Sequence, residues 1–111
     1  MQYFCLKFKT MTKMKSLNPE SLQKASKMLK AMAHPLRVAI LNLLSENDRL
    51  TVTEIHQALK IEQSTTSHHL GILKDKGVLN SERDGKNSYY FLQNNNLKHI
   101  IECLNNCTEC N

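Results

Sequence analysis

Apolar side chains recur at Leu22, Ala25, Met28, Leu29 and Met32, the spacing of one helical face, while Lys24, Lys27 and Lys30 are left for water. Asn18-Pro19 before them supplies a cap and a proline suited to the first helical position. His34-Pro35 ends this helix and starts a second, in which Leu36, Ala39, Ile40, Leu43 and Leu44, flanked by Val38 and Leu41, are apolar nearly all round. That pattern predicts the core helix. A polar loop is expected at 45–49, and Thr51-Val52-Thr53-Glu54 then fits a capping box opening a third helix, with Val52, Ile55 and Leu59 as its narrow apolar face.

Lys60-Ile61-Glu62 reads as a turn. A fourth helix is predicted from about Gln63 to Lys76; it buries Thr66, Leu70 and Leu73 and leaves Ser64, Thr65, Ser67 and His68 outward. Gly77 is the expected stop, with Lys74 and Lys76 favourably placed in the last turn. The period then falls to that of strands over Val78 to Arg83 and Ser88 to Leu92, around the hairpin signal Asp84-Gly85. A last helix from Asn96 to about Asn106 carries Leu97, Ile100, Ile101 and Leu104 on one stripe.

At 111 residues the chain has room for one modest core. The expected organisation is an N-terminal arm over 1–18, expected to be flexible, a domain over 19–106 that includes dimerisation helices, and a cysteine-containing tail over 107–111. The formal charge of +5 favours a polyanion as partner, though charge alone is a weak guide. No apolar run approaches the roughly 20 residues that span a bilayer. The opening MQYFCLKFKTMTKMK has too short an apolar stretch for a signal peptide, and Met11 or Met14 could equally be the start. A cytoplasmic location without membrane association is therefore expected. In a reducing compartment, Cys5, Cys103, Cys107 and Cys110 point to free thiols, redox chemistry or metal rather than to structural disulfides.

HPLRVAILNLL, the helix pair ending QSTTSHHLGILKDKGVL, and the hairpin SERDGKNSYYFL resemble the ArsR/SmtB family of bacterial winged-helix repressors. The resemblance runs from about Ala25 to Leu104, with several motifs in order and at the right spacing. It implies a mostly α fold with a β-hairpin wing (α+β), a winged helix-turn-helix with a helical dimer interface, and binding to a double-stranded DNA operator as a homodimer.

The residues agree with it. The second helix of a helix-turn-helix enters the major groove and its N-terminal side chains meet base edges, here Gln63, Ser64, Thr65, Ser67 and His68. Gln63 can pair with adenine, the hydroxyls can donate or accept, and Thr65 offers a methyl to thymine. Capping and surface solvation are the alternative for Ser64, Thr65 and Ser67 taken singly; as a cluster at the head of a basic helix these residues favour DNA. Lys74, and Arg83, Lys86 and Asn87 at the hairpin tip, are candidate phosphate or minor-groove contacts, against a solvated turn as the alternative. His68 and His69 point about 100° apart on a helix and cannot share a metal. His69 is expected to be structural, and Arg37 to bridge helices, with a phosphate contact as its alternative. Leu22 and Leu29 with Leu97, Ile100, Ile101 and Leu104 would form an isologous dimer seam, packing within the monomer being the alternative.

Many members of the family release DNA on binding metal. Their helix-three site uses a Cys-x-Cys pair where this chain has Thr51 and Thr53, and hydroxyls are poor ligands for soft metals. The other family site matches Asn94 and Asn96 at the start of the last helix and Cys107 and Cys110 near its end, a departure from the pattern. What remains is His99, Cys103, Cys107 and Cys110, within an arc of about 80° beside the apolar stripe on a continued helix. No cofactor is assured; Zn²⁺ or another soft metal is the candidate ligand, thiol oxidation the second reading, and no sensing at all the third.

An enzyme is disfavoured: there is no glycine-rich phosphate loop, no paired carboxylates in a plausible cleft and no nucleophile–base–orienter set. The expectation is therefore a sequence-specific regulator, a dimeric repressor of a palindromic operator. A winged-helix protein–protein adaptor without DNA specificity is the alternative.

Overall fold

The computed structural model describes residues 18–109. The expectations for the arm, for Cys5 and for Cys110 lie outside the described residues. Helix α1 spans Pro19–Met32 and α2 Pro35–Glu46. Strand β1 (Leu50–Thr51) leads into α3 (Val52–Leu59), α4 spans Gln63–Asp75, and strands β2 (Leu79–Asp84) and β3 (Asn87–Leu92) precede α5 (Asn96–Glu109).

The local signals act where they stand. Asn18 accepts from the Ser21 amide at 2.8 Å, and Pro19 occupies the first turn of α1. Thr51 and Glu54 form the reciprocal capping box, with both backbone bonds at 3.0–3.1 Å. Gly77, with φ of +81°, closes α4 in a Schellman motif: its amide donates to Lys74 O at 3.1 Å and that of Val78 to Leu73 O at 2.9 Å. The hairpin turns through Gly85 and Lys86, between the paired Asp84 and Asn87. Gly85 has φ of +65° and Lys86 does not have positive φ, the pattern of a type II′ turn whose twist suits the flanking strands. The turn thus lies one residue later than Asp84-Gly85.

Core side chains come from every helix. Ile40, Leu41 and Leu44 of α2 meet Ile55, Leu70, Leu73, Val78 and Leu79, with Ala31, Met32, Leu92, Leu97 and Ile101 closing the cluster. Each large member contributes about 1.5–3 kcal/mol by leaving water. Helix α2 is central because its apolar residues encircle it. It also runs through Ser45 and Glu46, so the polar loop is shorter than 45–49 suggests.

Three further features depart from expectation. Strand β1 pairs with β3, Leu50 opposite Tyr90 and Thr51 opposite Tyr89, so the hairpin is part of a three-stranded antiparallel sheet in the order β1-β3-β2. Helix α5 continues past Asn106 and carries Cys107 within it, so the tail does not begin there. The apolar stripe of α5 also divides. Leu97 and Ile101 are buried in the monomer's own core and are corrected from seam to core residues, whereas Ile100 and Leu104 stay exposed. The cause is helical phase: α5 packs on α2, where Asn105 Nδ2 donates to Asn42 Oδ1 at 2.8 Å, and only one side of the stripe meets that neighbour.

Candidate nucleic-acid interface

Helix α4 is anchored by its buried side. Thr66, His69, Leu70 and Leu73 face inward, and the Thr66 hydroxyl donates back to Glu62 O at 3.0 Å, so this polar side chain is buried with its bond made. Gln63, Ser64, Ser67, His68, Gly71 and Lys74 are exposed, while Thr65 is half-buried on the flank. Small polar side chains thus line an outward stripe along the first three turns. Asn18, His34 and Thr51 each accept a backbone amide at the start of their helices, but Glu62 makes no side-chain cap on α4. The first amides of α4 therefore have no side-chain acceptor from their own cap, an arrangement open to an anionic oxygen.

The turn before α4 is tight. Lys60 takes the left-handed conformation at φ of +57°, and the Ile61 amide donates to His56 O at 3.1 Å. This reverses the chain within three residues and sets α3 against α4 as a helix-turn-helix.

Behind the stripe, Arg37 bridges three helices. Its Nε donates to Nδ1 of His69 at 3.0 Å, and its Nη1 to Ala31 O at 3.0 Å. The His34 ring lies 4.8 Å from that of His69, and His68 lies 5.5 Å from it. Burial, then the Arg37 guanidinium and the His34 and His68 rings, hold the His69 pKa below the ordinary histidine value. His69 and Arg37 thus have the structural roles expected of them.

At the wing, Arg83, Lys86 and Asn87 are exposed at or beside the turn. Arg49, which the sequence reading passed over, holds the wing's base: Nη1 lies 3.4 Å from Glu82 Oε2 and the guanidinium sits 4.6 Å above the Tyr89 ring. The ion pair is exposed and worth little alone, so the stacking on Tyr89 is the firmer of the two contacts. A basic residue just ahead of β1 was the available signal, but its partners are distant in sequence.

A model of the family described as bacterial regulatory protein, arsR family, matches residues 34–81, the segment that holds α2, α3, α4 and the start of the wing. The transcriptional repressor PagR of Bacillus anthracis is 44% identical over 77% of this chain and 85% of its own length. The chain belongs to the arsR family. The crystal structure of PagR matches with a TM-score of 0.74 at 41% identity, over 78% of this chain and 99% of that one. The transcriptional activator HlyU of Vibrio cholerae is 37% identical over 73% of this chain and 74% of its length. A homodimeric winged helix-turn-helix DNA-binding domain from Mycobacterium bovis matches with a TM-score of 0.71 at 25% identity, over 79% of this chain and 81% of that one. As an arsR-family member the chain is a DNA-binding transcriptional regulator with a winged helix-turn-helix, and not an enzyme.

At Thr51 and Asn94, two of the positions matched to the family's metal sites, the side-chain oxygens are already engaged within the chain. The Thr51 hydroxyl is engaged with Glu54, and Asn94 Oδ1 accepts the Asn96 amide at 2.9 Å. On α5, His99, Cys103 and Cys107 are exposed, and among the described residues no three His, Cys, Asp or Glu side chains converge as a metal site. No helix among the described residues is long and apolar enough to cross a membrane.

Proposed function

We propose that two copies of this chain pair through α1 and α5 and repress transcription by gripping a palindromic operator with α4 and the wing. The observation that carries the DNA contact is the outward stripe Gln63, Ser64, Ser67 and His68 on a helix whose opposite side is locked into the core. Ser64, Ser67 and His68 contact base edges, Thr65 reaches from the flank with its methyl, and Lys74, Arg83, Lys86 and Asn87 contact phosphates. Two such helices about 34 Å apart read successive major grooves.

Pairing is supported by where the apolar surface lies. The large exposed hydrophobics among the described residues are Leu22, Leu29, Ile100 and Leu104, at 40–56% exposure, and all four stand on α1 and α5. They are the residues that a second copy would cover. PagR is a repressor and HlyU an activator, so repression here rests on the nearer relative.

The test is a mobility shift with the upstream promoter fragment. Specific binding in the range of about 10⁻⁸ to 10⁻¹¹ M, weakening steeply with salt, is expected. Ser64→Ala with Ser67→Ala should flatten the preference for operator over random DNA and leave the dimer intact. Unchanged specificity in that variant sinks the assignment of α4, and a native chain with no sequence preference returns the adaptor reading.

A further inference from the structure

Outside the stripe on α4 lies a concentration of positive charge of which this reading uses only Lys74. Lys24, Lys27 and Lys30 are exposed on α1, spaced so that they rise along one side of the helix. Lys27 and Lys30 face Lys76 across a groove of about 310 Å³ between α1 and the second half of α4, whose floor includes Ala31 and Ile72. Lys24 and Lys27 meet Lys74 and Lys76 in a second groove of about 390 Å³ at the end of α4. The two grooves share Lys27 and Lys76 and so form one continuous surface.

Among the described residues one carboxylate, Asp75, lines it. Among the described residues the ion pair made by these five lysines is Lys76 with Asp75, at 3.7 Å, both side chains being well exposed. Like charges three residues apart destabilise a helix by a few tenths of a kcal/mol per pair. Five ammonium groups held together against their own repulsion fit an anion from outside. The extent of the row identifies which kind. Lys24 to Lys30 covers about 9 Å of helix axis at about 1.5 Å per residue. One strand of duplex presents a phosphate about every 3.4 Å of its axis, so the row matches two or three successive charges and exceeds one small anion. Its position beside the far end of α4 makes it continuous with the helix that enters the duplex.

We propose that Lys24, Lys27 and Lys30 of α1, with Lys74 and Lys76 of α4, are a second phosphate-binding surface that holds duplex backbone outside the bases read by α4. The proposal rests on α4 being the DNA-reading helix, and it extends the footprint beyond α4 and the wing. Contacts of this kind carry affinity and salt dependence without sequence preference.

The experiment is operator binding against salt for the native chain and for Lys24→Gln/Lys27→Gln/Lys30→Gln. At about 0.9 counterion per phosphate contact, losing three contacts in each of the two copies reduces the slope of log affinity against log salt by about five. The fall in affinity between about 50 and about 200 mM salt then shrinks by about 1,000-fold. Affinity for operator and for random DNA should drop in parallel, and hydroxyl-radical protection should shorten at the phosphates nearest this surface. An unchanged slope with unchanged protection overturns the proposal, and would leave the surface to an acidic protein partner. Lys76→Gln alone, which leaves Lys74 in place, supplies a second reading should the first variant be poorly folded. Ser64→Ala with Ser67→Ala serves as the control: if it leaves specificity intact, the assignment of α4 has failed, whatever the lysines show.

Discussion

Arg37 donates from Nε to Nδ1 of His69 across 3.0 Å, and this bond ties the core helix α2 to the buried side of the helix proposed to read DNA. The geometry assigns the ring proton to Nε2, because Nδ1 must present a lone pair. Protonating His69 would replace an acceptor by a donor facing a guanidinium. The same Arg37 fixes the end of α1 through Ala31 O, so one side chain joins three helices behind the proposed interface.

Stability should depend on this histidine. Its pKa is lowered in the folded state by burial, then by Arg37, His34 and His68, so the unfolded chain takes up its proton first as pH falls. Its contribution is complete above the unfolded value of about 6.5 and is lost as pH falls from there through the folded value. Urea denaturation at a series of pH values checks this. In His69→Gln the amide oxygen accepts from Arg37 at any pH, and the acid-side decline should flatten relative to the native chain. Equal declines in both proteins would remove His69 as the cause.

Ile100 and Ile101 are adjacent and chemically identical, yet one is 40% exposed and the other 1%. Ile101→Ala is expected to destabilise the folded chain by about 2–5 kcal/mol through loss of burial and a residual cavity. Ile100→Ser with Leu104→Ser should leave the far-ultraviolet spectrum intact and shift the sedimentation coefficient toward the monomer. A dimer of undiminished strength in the second variant would place the seam elsewhere.

Gly71 lies in the middle of α4 with open space where a Cβ would stand. An exposed glycine within a helix costs about 0.5–1 kcal/mol relative to alanine. Gly71→Ala should therefore raise the stability by that amount and the thermal midpoint by several degrees. A midpoint that stays level or falls would mean that the assembled protein uses the space.

Cys103 and Cys107 are both exposed, one helical turn apart, on the helix that carries Ile100 and Leu104. We expect peroxide to weaken operator binding by the native chain, and Cys103→Ser with Cys107→Ser to bind equally well with and without it. Release of the double variant by peroxide clears these two thiols of the role. Zinc titration of the native chain, read by the same mobility shift, separates a metal response from oxidation.

Much of this molecule is written in short-range signals. Asn18-Pro19, the Thr51–Glu54 box and Gly77 each act within a few residues, which is why the helix ends fall close to where they are read. The outward stripe of α4 follows in the same way, since Thr66, Leu70 and Leu73 fix its phase. Strand β1 could not be read: Leu50-Thr51 is too short to show a period, and its partners Tyr90 and Tyr89 are remote in sequence. The divided stripe of α5 was hidden for a related reason. Spacing places Leu97, Ile100, Ile101 and Leu104 on one face, but only the angle at which α5 meets α2 decides which of them are covered.

Thr51 belongs to two structures at once, as the residue that caps α3 and as a rung beside Tyr89 on the wing. Helix α3 and the wing are thereby joined at a single backbone position, so that a displacement of either is passed to the other. In the proposed pair on DNA, accommodation to an imperfect operator would then fall first to the hinge between the two copies, or to bending of the duplex itself.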